Sequence, residues 1–155
     1  MSDTHGHLPQ QVFSFFADAD EIWHAGDIGP GVLEWLREFK PVVAVHGNID
    51  DSALRFEAPK VQTFEREGLR ILMTHIGGYP GHYAAPILPL IRSYQPHLFV
   101  AGHSHILRVM PDPRHALLHI NPGACGRQGW HTKRTLIRLV LDESPKDLEI
   151  MEFDR

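Results

Sequence analysis

Five short stretches constrain this chain more than anything else in it: "SDTHG", "AGDIG", "HGNID", "MTHIGG" and "AGHSH". Each sets Asp, Asn or His beside glycine. The last four each close a run that reads as a β-strand. In open α/β sheets, ligands gather beyond the carboxyl ends of the strands. Several strand ends carrying ligand-type residues therefore predict one shared site and a largely parallel arrangement of the strands that feed it.

The intervening sequence agrees. Leu8 to Ala17 reads as a helix entered at Pro9, and Glu21 to His24 as a short strand. Gly31 to Lys40 reads as a second helix, with Val32, Leu33, Trp35, Leu36 and Phe39 as a broad apolar face. "PVVAVHG" is a short β-branched strand closed by glycine. This βαβ rhythm implies a parallel sheet covered by helices. Further on, "VQTFEREGLRILMTH" reads as two strands about a turn at Glu67 and Gly68. Ala84 to Tyr94 reads as a helix, and "HLFVAGHSH" as a strand running into a loop. "LRVM", "ALLHI", "RTLIRLVLD" and "LEIMEF" are later, more antiparallel strands. The predicted fold class is α/β: two facing mixed β-sheets flanked by helices, an αββα sandwich, as one domain over residues 1–155.

Composition narrows the function classes. The 155 residues carry a net charge of −4 with His neutral. That favours neither nucleic acid nor an anionic membrane as partner. No apolar run approaches membrane-spanning length. A single cysteine, Cys125, and a start without a leader-like stretch predict a reducing cytoplasm. Histidine is the unusual total, with 12 scattered along the chain.

The spacing of the ligand types points to metal. Asp3 and His5 are two residues apart, as are His103 and His105. In extended backbone such pairs face one side. With Asp27, Asn48 and His75 they form a set of seven oxygen and imidazole donors without a thiolate. A cysteine-rich structural zinc site is thereby excluded. The donors suit Mn, Fe, Zn, Co or Ni, and affinity alone does not choose among them. Seven donors exceed what one catalytic ion with open positions needs. Two ions sharing a carboxylate fit better, and such pairs clamp the oxygens of a phosphoryl displacement.

Taken in order, the five stretches resemble the calcineurin-like metallophosphoesterases, and in particular the short bacterial and archaeal phosphodiesterases. The resemblance runs from Ser2 to the strands near Leu141. It implies that Asp3, His5 and His105 bind a first divalent ion, that Asn48, His75 and His103 bind a second, and that Asp27 bridges them. It also implies a metal-bridging hydroxide as nucleophile, manganese as the leading metal, with nickel, cobalt, zinc or iron as alternatives, and a small phosphoester as substrate. Many relatives place His directly after the Asn of the third stretch, as an acid for the leaving group. Here Ile49 stands there. That weakens a general monoesterase reading and favours a diester, leaving His46 in the same loop as the catalytic candidate beside Asp27 and Asn48. The retromer scaffold subunit resembles the same fold but binds other proteins, so a catalytically weak scaffold is the alternative. The late strands and the resemblance allow a homodimer.

Around these residues the expectations are plainer. Asp50 and His24 should support ligands rather than ligate. His7 reads as the rim of the site or the start of a helix, and His82 as near the substrate or on the surface. His97, His115, His119 and His131 read as surface or edge. "NPGACG" reads as a tight turn, Trp23 and Trp35 as core, and Trp130 as exposed or at an interface. Relatives place a buried strand just before "SDTHG", where this sequence has Met1 and Ser2 alone. The expectation is a first strand cut short, a natural product beginning upstream, and Asp3 and His5 on a loose terminus.

Overall fold

The computed structural model describes residues 1–155. In chain order the elements are α1 (Gln11–Phe15), β1 (Ile22–His24), α2 (Val32–Phe39), β2 (Val42–Ala44), α3 (Ser52–Glu57), β3 (Val61–Arg66) and β4 (Leu69–Thr74). There follow β5 (Gly78–Tyr79), β6 (His82–Tyr83), α4 (Ile87–Tyr94) and β7 (Leu98–Val100). The chain ends with β8 (Leu107–Asp112), β9 (Leu117–Pro122), β10 (Lys133–Leu141) and β11 (Pro145–Asp154).

Five strands form one mixed sheet in the order β3-β4-β7-β9-β8. Its centre, β4-β7-β9, is parallel, and β3 and β8 pair antiparallel on either side. Facing it lie the parallel pair β1-β2 and the antiparallel hairpin β10-β11. Met1 to Asp3 makes strand-type bonds on both sides. The Met1 ammonium donates to the Trp23 carbonyl at 2.9 Å, Ala25 N–H to the Met1 carbonyl at 3.0 Å, and Asp3 N–H to the Gly26 carbonyl at 2.9 Å. On the opposite side Cys125 and Gly126 donate to the Ser2 and Asp3 carbonyls, each at 2.9 Å. The loose terminus expected for Asp3 is therefore corrected: residues 1–4 are buried and laddered.

Three apolar clusters correspond to the three contacts between layers. Ile71, Met73, Leu98, Val100 and Ile120 of the five-strand sheet meet Ala25, Val45 and Ile137 from the facing side. Leu72, Phe99 and Leu117 point the other way, onto Ile87 and Ile91 of α4. The third cluster packs Val32, Leu33 and Leu36 of α2 with Val12 and Phe15 of α1 and Leu54 of α3. Alternate residues of β4 and β7 thus feed both faces, as strands covered on both sides require. The layers are helix, sheet, sheet, helix. No helix is long and apolar enough to cross a membrane.

The helices are shorter than their sequence patterns suggest. Trp35 is not core: it is 51% exposed, because α2 buries only Val32, Leu33 and Leu36. The expected apolar face was too wide. α3 was not anticipated, although Asp51 caps it by accepting from Leu54 N–H at 3.0 Å.

Candidate metal centre

The loops after β1, β2, β4 and β7 meet the Asp3–Gly6 turn at one edge of the two sheets. Two clusters form there: Asp3, His5 and His105 in one, Asp27, His75 and His103 in the other. Within each, the donor atoms lie inside 4.8 Å of one another. Asp27 stands between the two, with Oδ2 3.9 Å from His5 Nε2 and Oδ1 3.2 Å from His75 Nε2. His105 Nε2 is 3.1 Å from Asp3 Oδ1. These contacts are close but not aligned as hydrogen bonds. Asp3 Oδ1, His5 Nε2 and His75 Nε2 are buried without a hydrogen-bond partner. Buried polar atoms are seldom left so. Oxygen and imidazole donor atoms gathered this closely and left unpartnered suit cations, so the residues present fit divalent metal.

Local backbone makes the approach possible. Asp3, His5, Asp27, His103 and His105 all have positive φ, between 50° and 69°. This left-handed conformation is rare outside glycine but less so for Asp and His. It turns each side chain inward off a strand end. Gly47 is required for another reason: a Cβ there would overlap the Asp27 carboxylate.

The surrounding hydrogen bonds fix the donors. His75 Nδ1 donates to the Ala25 carbonyl at 2.8 Å, which leaves Nε2 as the free donor atom. Asp3 Oδ2 accepts from His103 N–H at 3.2 Å and leaves Oδ1 free. Asp50 accepts from Ile28, Gly29 and Gly47 N–H at 2.8–3.1 Å, tying the Asp27 loop to the Asn48 loop. His24 Nδ1 accepts from Gly26 N–H at 3.2 Å, so Nε2 carries the proton and faces Thr4 Oγ1 at 2.9 Å. Burial holds His24 well below its usual range, hence neutral. Burial also lowers His5 against the pull of Asp27 and Asp3. For His75, burial is outweighed by the Asp27 and Asp3 carboxylates, and its pKa is raised. Burial raises the Asp27 pKa, but His75 and the Ile49 N–H outweigh it, and the carboxyl lies below its usual value.

Asn48 is exposed and lines a cavity with His75 and His46. His46 Nδ1 donates to the Ala58 carbonyl at 2.8 Å, so a neutral His46 offers Nε2 only as an acceptor. The "NPGACG" turn holds Asp3 in place through the Cys125 and Gly126 N–H groups. Two histidines read as surface or edge lie elsewhere. His119 is buried to 1% exposure, and burial depresses its pKa to about 4. The ring of His131 stands 5.2 Å from that of His105. No sequence signal marked His131, since its neighbours Trp130 and Thr132 carry no ligand pattern.

Comparison with known proteins agrees with this geometry. The family described as the calcineurin-like phosphoesterase superfamily domain matches residues 1–144. A probable metallophosphoesterase of Methanothermobacter thermautotrophicus is 31% identical over 132 residues, covering 80% of this chain and 74% of its own. Among solved structures, an archaeal phosphodiesterase superposes with a TM-score of 0.76 at 24% identity, covering 99% of this chain and 97% of the other. A mutant Vps29 from Entamoeba histolytica superposes with a TM-score of 0.72 at 15% identity over 100% of this chain and 97% of that one. With a family match over nearly its whole length and a curated relative above 30% identity, the chain belongs to the calcineurin-like phosphoesterase superfamily, a family of metal-dependent phosphoesterases.

Proposed function

We propose that this protein is a dinuclear metal-dependent phosphodiesterase. The observation that carries the reading is the orientation of Asp27, which turns one carboxylate oxygen to each cluster. Asp3, His5 and His105 would hold the first ion; Asn48, His75 and His103 would hold the second; Asp27 would bridge. Bound there, two divalent ions supply a water acidified to hydroxide near neutral pH and charge to neutralise the phosphate oxygens. Manganese is the first candidate, and nickel, cobalt, zinc or iron also suit the donor set.

The chain's own residues do the rest. Asp3 and Asp27 bring carboxylate charge to the base of the site, where both are buried. The Ala25 carbonyl and the His103 N–H fix which atom of His75 and of Asp3 faces inward. Hydrolysis forms one P–O bond and breaks the bond to the leaving oxygen, which must gain a proton. Ile49 cannot give one. His46 can do so only as imidazolium, because its Nδ1–H is committed to Ala58. This favours esters with good leaving groups, diesters above simple alkyl monoesters.

The test is hydrolysis of an activated aryl phosphodiester by metal-stripped protein, with Mn, Ni, Co, Zn or Mg restored singly, beside an Asp27→Asn variant. Metal content is measured in parallel. Two ions per chain and turnover lost in the variant support the proposal. One ion per chain, or turnover indifferent to Asp27, would sink it. The scaffold alternative, with a vestigial site, predicts little or no metal-dependent turnover of any ester.

A further inference from the structure

The metal centre opens into two cavities that share a wall. One, of about 440 Å³, is lined by His46, Asn48, Arg55, Lys60 and His75. The other, of about 270 Å³, is lined by Tyr79, His82, His103, Arg108 and His119. Ile76 and Ala84 belong to both walls and divide them. Each cavity touches a candidate metal ligand: His75 and Asn48 in the first, His103 in the second. A phosphodiester has two arms leaving one phosphorus, and a centre with two outlets suits that shape.

The outlets differ in charge. The larger cavity contains Arg55 and Lys60 and no carboxylate, in a chain whose net charge is −4. Arg55 is partly committed: Nε donates to the Asp50 carbonyl at 2.7 Å and a terminal nitrogen to the Asn48 carbonyl at 3.0 Å. Lys60 is exposed and, like Lys40, makes no ion pair, whereas Lys133 and Lys146 do. In the smaller cavity the one strong cation, Arg108, sits over Tyr79, its guanidinium carbon 3.8 Å from the ring centroid, and the His82 ring packs against Tyr79 at 5.0 Å, tilted by 47°. The Arg108 charge is thus held against an aromatic ring, where Lys60 has no such partner.

We propose that Lys60, with Arg55 beside it, binds a second anionic group, such as a terminal phosphate, carried on one arm of the substrate, while the other arm lies along the Tyr79–Arg108 shelf. The proposal rests on the phosphodiesterase reading and names its substrate class: diesters with a further phosphate on one side. Lys60 is exposed on the lining of an acid-free cavity, and an ammonium there without a carboxylate partner would gain a charge-assisted hydrogen bond from such a group.

Binding tests this apart from turnover. Manganese-loaded protein is titrated calorimetrically with two dinucleotides whose linkage is an uncleavable methylene phosphonate, one with a 5′-phosphate and one without. The expected preference for the phosphorylated form is about tenfold, the scale of one charge-assisted contact. Lys60→Ala should abolish that preference, while Lys133→Ala, on the β10-β11 hairpin, should keep it. Equal affinities in the parent protein would overturn the proposal. So would a Lys60→Ala variant that weakens both ligands alike, since Lys60 would then serve the central phosphate. A preference that follows Arg108→Ala instead would also overturn it, because the arms would be exchanged. Cleavable versions of the same pair report on the reaction separately: preference without turnover would sink the phosphodiesterase reading and leave the arm assignment standing.

Discussion

Asp50→Ala should be among the most damaging single substitutions outside the candidate ligands. The Asp50 carboxylate is 3% exposed and accepts from three backbone donors, Ile28, Gly29 and Gly47 N–H. Alanine leaves all three buried donors without a partner. Hydrogen bonds to a charged group are worth roughly 1.5–3 kcal/mol each and add incompletely, so the expected loss is about 3–5 kcal/mol. For a chain of this length that lowers the melting temperature by on the order of 10 °C. Asp50→Asn should fall between. Its amide oxygen can serve Ile28 and Gly29, both 2.9 Å from Oδ1, while its NH₂ would face the Gly47 donor. Urea unfolding of metal-free protein at pH 7 measures both variants, and removing metal keeps changes in ion affinity out of the comparison. An Asp50→Ala loss below about 1 kcal/mol, or an Asn variant worse than Ala, would refute the idea that Asp50 braces the two loops through its acceptor oxygens.

Three further outcomes are expected. His119 has a folded pKa of about 4 against an ordinary 6.5, so the unfolded chain takes up its proton first. His119 leaves stability unaffected above pH 6.5 and lowers it by about 2 kcal/mol at pH 5, so the acid fall should be smaller by about that amount in His119→Leu than in the parent when urea unfolding of chelated protein is compared, the rest coming from groups such as the buried His24. Gly47→Ala should lower the urea midpoint and also lose at least about tenfold in metal affinity, because the added methyl overlaps the Asp27 backbone nitrogen as well as its carboxylate. Trp35→Gln should change stability by no more than about 0.5 kcal/mol, as fits a half-exposed side chain; a loss of several kcal/mol would restore it to the core.

The architecture was legible in the sequence because glycine and ligand-type residues recur at strand ends, and because the strands carry continuous apolar runs that only sheets covered on both faces need. The loops that bring Asp3, Asp27, His75 and His103 together follow from that pattern. What escaped depended on partners distant in the chain. His119 sits in β9 among Leu118, Ile120 and Asn121, where a histidine reads as an edge; its burial comes from Phe99 on β7, whose ring stands 5.3 Å away. Trp35 shows the converse error, an aromatic at helical spacing left outside because neighbouring positions filled the contact. The two-residue strands β5 and β6 have no period to read, being shorter than any alternation. The short helix α3 could have been found from Asp51, an N-cap residue before "SALRF".

The five left-handed residues around the centre set stability against metal binding. A non-glycine residue in that conformation costs on the order of 1 kcal/mol, less for Asp than for His. Without ions, the fold bears this cost at all five and recovers only part of it, through the bonds that Asp3 and Asp27 accept from the His103 and Ile49 N–H groups. Glycine at any of them would relax the backbone and delete a ligand in one step. Selection for thermal stability under chelation should therefore enrich glycine first at His5, His103 and His105, whose side chains accept no backbone N–H, dismantling the centre while improving the fold. Selection with metal present should hold the strained residues in place, since only then does ion binding offset the strain. A lineage that stopped needing the ions would have a downhill route out of catalysis that leaves its architecture untouched.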